Sequence, residues 1–295
     1  TVSNGIDLSG SGGIVWNKSR SSTNNHFIFD PDLGSGAYLQ PNTDAVLATG
    51  ANYSFTSTGF QDTYNNISGT EQVWWTFRKQ PKFFDKVTYT GNGTAGRTVA
   101  HNLGSVPGMI IVKCTSIAST LWAVYHRGMD SSAPEDYFLR LNDTNSRGDY
   151  TYWNDTAPTS SVFSVSSYDW VNNNASPFVA YCFAEIDGYS KFGSYTGNGN
   201  ANGSFIFTGF RPAWIMIKRS NDTGSWNIAD SIRSPENEVD EQVQANLSNA
   251  ESTSFDFDFL SNGFKARTTG GHRNASGTYI YMAFAEAPFK YANAR

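Results

Sequence analysis

A chain of 295 residues, 39% hydrophobic and 15% aromatic, has enough apolar side chains for two or three cores, since a domain takes about 100–200 residues. Charged residues are only 16% and the net charge is −5, with no gathered Lys and Arg to neutralise phosphates, which argues against a nucleic-acid partner. No apolar run reaches the roughly 18 residues of a membrane span, and Cys114 and Cys182, the two cysteines, fit free thiols of a protein made in a reducing cytoplasm better than a disulfide framework or a zinc site.

Along the chain, the first elements are Gly13-Ile-Val-Trp-Asn-Lys18, Phe27-Ile-Phe-Asp30, Leu39-Gln-Pro-Asn42, Phe55-Thr-Ser-Thr-Gly-Phe60 and Gln72-Val-Trp-Trp-Thr-Phe-Arg-Lys79. They are short, rich in β-branched and aromatic residues, and bounded by Gly, Asn, Asp and Pro, so they predict strands and turns. Tyr89-Thr-Gly-Asn-Gly93 opens a second set, followed by Pro107 to Lys113, Trp122 to His126, Tyr137 to Leu141, the irregular stretch Phe163 to Trp170, and Phe178 to Glu185. A third set runs through Tyr195-Thr-Gly-Asn-Gly199, Pro212 to Lys218, Trp226 to Asp230 and Tyr279 to Glu286. Within it, Val239, Val243 and Leu247 have helical spacing, but the corresponding Tyr137 to Leu141 reads as strand, and strand is expected for both. Phe255, Phe257 and Phe259 alternate with Asp256 and Asp258, which sets the phenylalanines on one face.

These sets are copies. Placing Phe183 on Phe284 gives an offset of 101 residues, and Phe77 on Phe183 an offset of 106. Pro81-Lys-Phe83 also echoes Pro288-Phe-Lys290. The expected modules are 1–86, 87–190 and 191–295, each of a size and strand content that suits a β-sandwich. The fold expectation is therefore all-β, with three tandem lectin-like antiparallel β-sandwich (jelly-roll-like) modules. Module one lacks the Tyr-Thr-Gly-Asn-Gly opening, as if N-terminally incomplete or completed by a strand from elsewhere. The start at Thr1 fits a processed chain or a piece of something longer.

Catalytic patterns are scarce. Gly91-Asn-Gly-Thr-Ala-Gly96 satisfies a dinucleotide-binding pattern, but a strand follows where the motif needs a helix. His26, His101, His126 and His272 are far apart and read as polar groups at strand ends. Glu236, Glu238, Asp240 and Glu241 lack the ligand spacing of a Ca²⁺ loop. Asp30, Asp230, Glu185 and Glu286 are repeat-related carboxylates of the kind a glycosidase pairs, yet Lys79 replaces the glutamates in module one. No enzyme, metal or cofactor is expected. Aromatics flanked by Asn and Asp fit sugar binding better, through ring stacking and hydroxyl hydrogen bonds. Trp153 and Trp170, with Tyr152, Asp155 and Tyr168 beside them, are the candidate ligand-binding residues, although core burial competes for any single Trp.

Tyr89-Thr-Gly-Asn-Gly, Ala100 through Lys113, Trp122-Ala-Val-Tyr-His-Arg-Gly128 and Phe178 through Gly199 together resemble repeats in tail-fibre-like proteins of tailed bacteriophages, marine and cyanobacterial ones above all. The resemblance covers modules two and three almost fully and module one in part. It implies a virion appendage, on the tail or capsid, that attaches to a host-surface glycan or receptor, contacts other virion proteins and forms a homo-oligomer, a trimer by analogy. A purely structural virion part, such as a spacer or capsid-decorating protein, is the alternative, and a polysaccharide depolymerase the third reading.

Overall fold

Long apolar runs broken by Gly, Asn and Pro leave the backbone little choice but sheets, and the computed structural model is 45% strand and 4% helix. It describes residues 1–62 and 70–286. The first strands are β1 (Val2–Ser3), β2 (Gly13–Ser19), β3 (Phe27–Phe29), β4 (Tyr38–Leu39), β5 (Tyr53–Thr56), β6 (Gly59–Asp62) and β7 (Gln72–Arg78). Next come β8 (Phe84–Thr90), β9 (Arg97–Ala100), β10 (Pro107–Cys114), β11 (Ala123–His126), β12 (Tyr137–Arg140), β13 (Gly148–Asp149), β14 (Val162–Val165), the one-turn helix α1 (Asp169–Asn172) and β15 (Pro177–Ala184). The last are β16 (Ser190–Gly197), β17 (Phe205–Phe207), β18 (Pro212–Arg219), β19 (Trp226–Asp230), β20 (Val239–Gln244), β21 (Ser252–Leu260), β22 (Gly263–Ala266) and β23 (Gly277–Ala285). Strand β8 runs across the expected boundary at 86–87. Val239 lies in β20, so the ambiguous stretch is strand.

All pairing between these strands is antiparallel, in sandwich-like arrangements. The sheet β4-β3-β2-β7 faces β1-β6-β5, and β13-β12-β11-β10-β15-β8 faces β14-β9. From β16 onward one eight-stranded sheet, β16-β23-β18-β19-β20-β21-β22-β17, curls into a near-closed barrel. The difference lies in β21: its nine residues pair with β20 through a register shift at Val239 and with β22, and so join the two layers.

Repeat-equivalent residues hold equivalent places. Ile14 pairs with Phe77, Met109 with Phe183 and Trp214 with Phe284. On β10, Ile110 and Val112 fill the core between the sheets of their own segment, while Met109 and Ile111 point the other way into a core shared by all three. Burial on both faces explains the continuous apolar runs. In the shared core Phe77, Phe183 and Phe284 meet, their ring centroids 5.3, 5.7 and 6.3 Å apart. The buried apolar side chains form four clusters, three of them local to one stretch of the chain and the fourth drawing on residues from Ile14 to Phe284.

Polar contacts around this core run head to tail. Lys18 donates to the Ser248 carbonyl (3.2 Å), Lys113 to that of Asp44 (3.3 Å) and Lys218 to that of Thr144 (3.3 Å). The His26 Nε2 bonds the Gln244 carbonyl, as the Trp122 indole does Thr43 and the Trp226 indole Arg140. In the opposite sense Tyr181 donates to Asp30, His126 to the Tyr281 carbonyl and Trp75 to Asp230. Each set is made by residues at one repeat position.

The repeated Tyr-Thr-Gly-Asn-Gly is a clasp. Asn172, fully buried, donates to Asn92 Oδ1 and to the Thr94 and Ser166 carbonyls, and accepts from the Asn92 amide. Asn274 repeats this on Asn198, Asn200 and Thr268. Gly91 stands where a Cβ would fall 1.9 Å from the Asn173 carbonyl oxygen, so the backbone itself must pass there.

Candidate functional site

Strand β12 ends at Arg140, β13 returns alongside it, and the loops after β13 and β14 bring aromatic rings together above Phe138. The Tyr152 ring stacks on Tyr168 (4.5 Å) and Trp170 (5.6 Å) and lies tilted against Phe138 (4.2 Å). Tyr150 meets Phe138 edge-on at 5.6 Å and Tyr168 at 6.5 Å. Gly148 makes room for this, because a Cβ there would lie 2.7 Å from the Phe138 ring and 3.0 Å from that of Tyr150. The Arg140 guanidinium lies over Phe138 (5.0 Å) and Trp170 (5.5 Å), with Asp143 3.4 Å away.

The result is a platform rather than a cleft. Tyr150 is 51% and Tyr168 40% exposed, Trp170 is half-buried, and Tyr152 is the covered layer beneath them. Burial pushes the Tyr152 hydroxyl up to about 12, so it stays protonated and able to donate. Nearby, Asp169 accepts from the Asn173 side chain at 2.8 Å and is itself exposed.

Of the five residues expected from sequence, the structure brings together Tyr152, Tyr168 and Trp170. Trp153 is a correction: at 2% exposure its ring fills the core of the second segment against Tyr125, 5.9 Å away, and no ligand reaches its face. Asp155 is exposed in the left-handed turn after Asn154 and makes no contact with the platform among the described residues. Sequence reasoning missed Arg140 and the Phe138 floor, which sit on a strand that reads as ordinary core. Their signal was the aromatic-cation alternation Tyr137-Phe-Leu-Arg140.

Groups elsewhere are engaged structurally. Asp30 holds Lys86 and Tyr181; Asp230 holds Trp75 and Arg233. Glu185 pairs with Lys191, and Glu241 with Arg20. Burial pushes His26 and His126 down to about 3, so both are neutral. Among the described residues, no cluster of His, Cys, Asp and Glu could hold a metal, and no helix is long and apolar enough to cross a membrane. A shallow hollow of about 250 Å³ lies between Val106, Tyr125, Arg127, Glu135 and Pro158.

A family model described as a domain of unknown function, DUF7483, matches residues 4–288. No curated protein and no solved structure matches the chain.

Proposed function

The chain belongs to the DUF7483 family, a domain of unknown function, and from its surface we propose that it binds a glycan on the platform of Tyr150, Tyr168 and Trp170. The observation behind this reading is the stack itself: two exposed tyrosines and a half-buried tryptophan, fixed in place by Tyr152, Phe138 and Arg140. A sugar ring laid on these faces leaves its hydroxyls within reach of the tyrosine hydroxyls, Asp169 and the guanidinium. Preorganised rings lose little entropy on binding.

The affinity of such a flat site is low. Covering about 100–150 Å² of apolar surface at about 25 cal/mol/Å² gives roughly 3 kcal/mol, and one or two hydrogen bonds bring the total to about 4 kcal/mol, a millimolar Kd. Useful attachment then requires several copies side by side. A virion appendage, the setting implied by the resemblance to phage tail-fibre-like repeats, supplies that display, and host attachment is the role assigned. The test is binding of the purified chain to a glycan array and to intact candidate host cells. Specific binding lost in Trp170→Ala and Tyr168→Ala, with the fold retained, supports the reading; binding that survives both substitutions overturns it.

A structural role in the virion is the second reading, favoured by the interlocked core and by the absence of a deep cleft among the described residues. A folded sample that binds neither array nor cells selects it. Depolymerase activity has little to draw on, because the repeat-related carboxylates Asp30 and Asp230 are buried in structural bonds.

A further inference from the structure

We propose that Lys86 and Asp30 become joined by an amide bond, formed within the folded chain between the lysine amine and the aspartate side-chain carboxyl, with Asp32 moving the proton. Lys86 lies in β8, and Asp30 follows β3, 56 positions earlier. Both side chains are buried, at 1% and 0% exposure. The Lys86 amine contacts Asp30 Oδ1 and lies 2.8 Å from Asp32 Oδ2. Tyr181, opposite Lys86 on β15, donates its hydroxyl to Asp30 Oδ2 at 3.1 Å. An amine, a hydrogen-bond donor and a second carboxylate thus converge on one carboxyl group.

The surroundings favour condensation. Phe29, beside Asp30, is fully buried, as is Phe84, whose ring stacks 6.5 Å from that of Tyr181. Burial pushes the Asp30 carboxyl above its ordinary range, toward the neutral acid. Attack of the neutral Lys86 amine on Asp30 Cγ forms the C–N bond, while Tyr181 donates to the developing oxyanion. Asp32 takes the surplus proton from the nitrogen and passes it to the departing hydroxyl, which leaves as water. Amine and carboxylic acid give amide and one water, so no oxidant or other reactant is needed. The Asp32 side chain is 53% exposed and opens the site to the solvent that receives the water. A competing dehydration is closed, because it uses the next backbone N–H, and Pro31 has none.

The repeat shows that packing does not require this pair. Phe84 stands opposite Phe183 as Ser190 stands opposite Phe284, so Lys86 corresponds to Phe192, and Asp30 corresponds to His126. At that second place a neutral histidine meets a phenylalanine, ring centroids 6.0 Å apart. An amine and a carboxyl in their stead bring reactivity, and a buried ion pair is a poor substitute for packed rings. The amide staples the sheet that holds β3 to the sheet that holds β8.

The intact mass of the denatured full chain tests this. The expected mass is that of the sequence less one water, with a branched tryptic peptide joining the stretches around Asp30 and Lys86 and no cleavage after Lys86. Lys86→Met is expected to restore the full sequence mass. Asp32→Asn keeps both reacting groups and is expected to form the amide at least about tenfold more slowly in freshly synthesised chain. A folded, unsubstituted chain at full mass overturns the proposal whatever the variants do. A deficit that persists in Lys86→Met overturns it as well, and an unchanged rate in Asp32→Asn overturns the part given to Asp32.

Discussion

Lys18, Lys113 and Lys218 bury an amine at each junction between segments and direct it at carbonyls; none forms an ion pair among the described residues. Burial pulls all three from 10.5 down to about 8. Below about pH 8 both folded and unfolded chains carry the protons, and the cost of burying the charge is fully present. Between about 8 and 10.5 the unfolded chain holds protons the folded one has released, so stability rises with pH. Burial raises the hydroxyls of Tyr89, Tyr181 and Tyr195, which reverses the trend once unfolded tyrosines ionise near pH 10. The melting temperature is therefore expected to climb from pH 7.5 to 9.5 and to fall beyond 10. Lys113→Met should flatten part of the climb. At the same scale, Trp153 and Trp170 separate core from surface. Trp153→Ala should cost about 3–5 kcal/mol in urea denaturation, whereas Trp170→Ala should cost well under half of that and abolish glycan binding.

Elements show how much the sequence could tell. Strands, turns and the repeat were readable because apolar periodicity and Gly-Asn punctuation are local. The central strands β15 and β23 were recognisable from runs buried on both faces. The clasp was not: nothing local to Asn172 announces that three of its bonds go to the loop around Asn92, some 80 residues earlier, and a fourth to the Ser166 carbonyl. The eight-stranded closure from β16 to β23 was equally hidden, because it depends on one long strand serving both layers. For the same reason Trp153 and Trp170 looked alike: which of two neighbouring loops turns inward is decided by packing against Tyr125 and Phe138. Asn172→Ala strands several buried polar groups, each worth about 1–3 kcal/mol. A loss of about 3 kcal/mol is expected, with faster exchange at the Asn92 and Gly93 amides; Asn274→Ala should do the same at Asn198.

Taken whole, the molecule has one core to which side chains from Ile14 to Phe284 contribute. A shared core couples the segments, so calorimetry should find one unfolding transition where independent modules would give several. Phe183→Ala should shift that single transition downward and leave it single. The trimer implied by resemblance to tail fibres is tested by light scattering, in which a single chain returns a mass near 32.4 kDa. A mass near three times that value would place a second, external threefold on the surface.

Phe77, Phe183 and Phe284 meet as three copies of one position. A gene one-third as long, encoding a single repeat and the strand that follows it, would specify a small protein whose phenylalanine touches its own counterparts in two sister copies. Its donated strand would complete a sister's sheet. Fusing three such genes fixes the stoichiometry and removes the need for assembly. It also frees the copies from having to be identical. In such a fused chain a copy can specialise while its siblings keep the shape, as the Tyr150, Tyr168 and Trp170 surface on one segment illustrates.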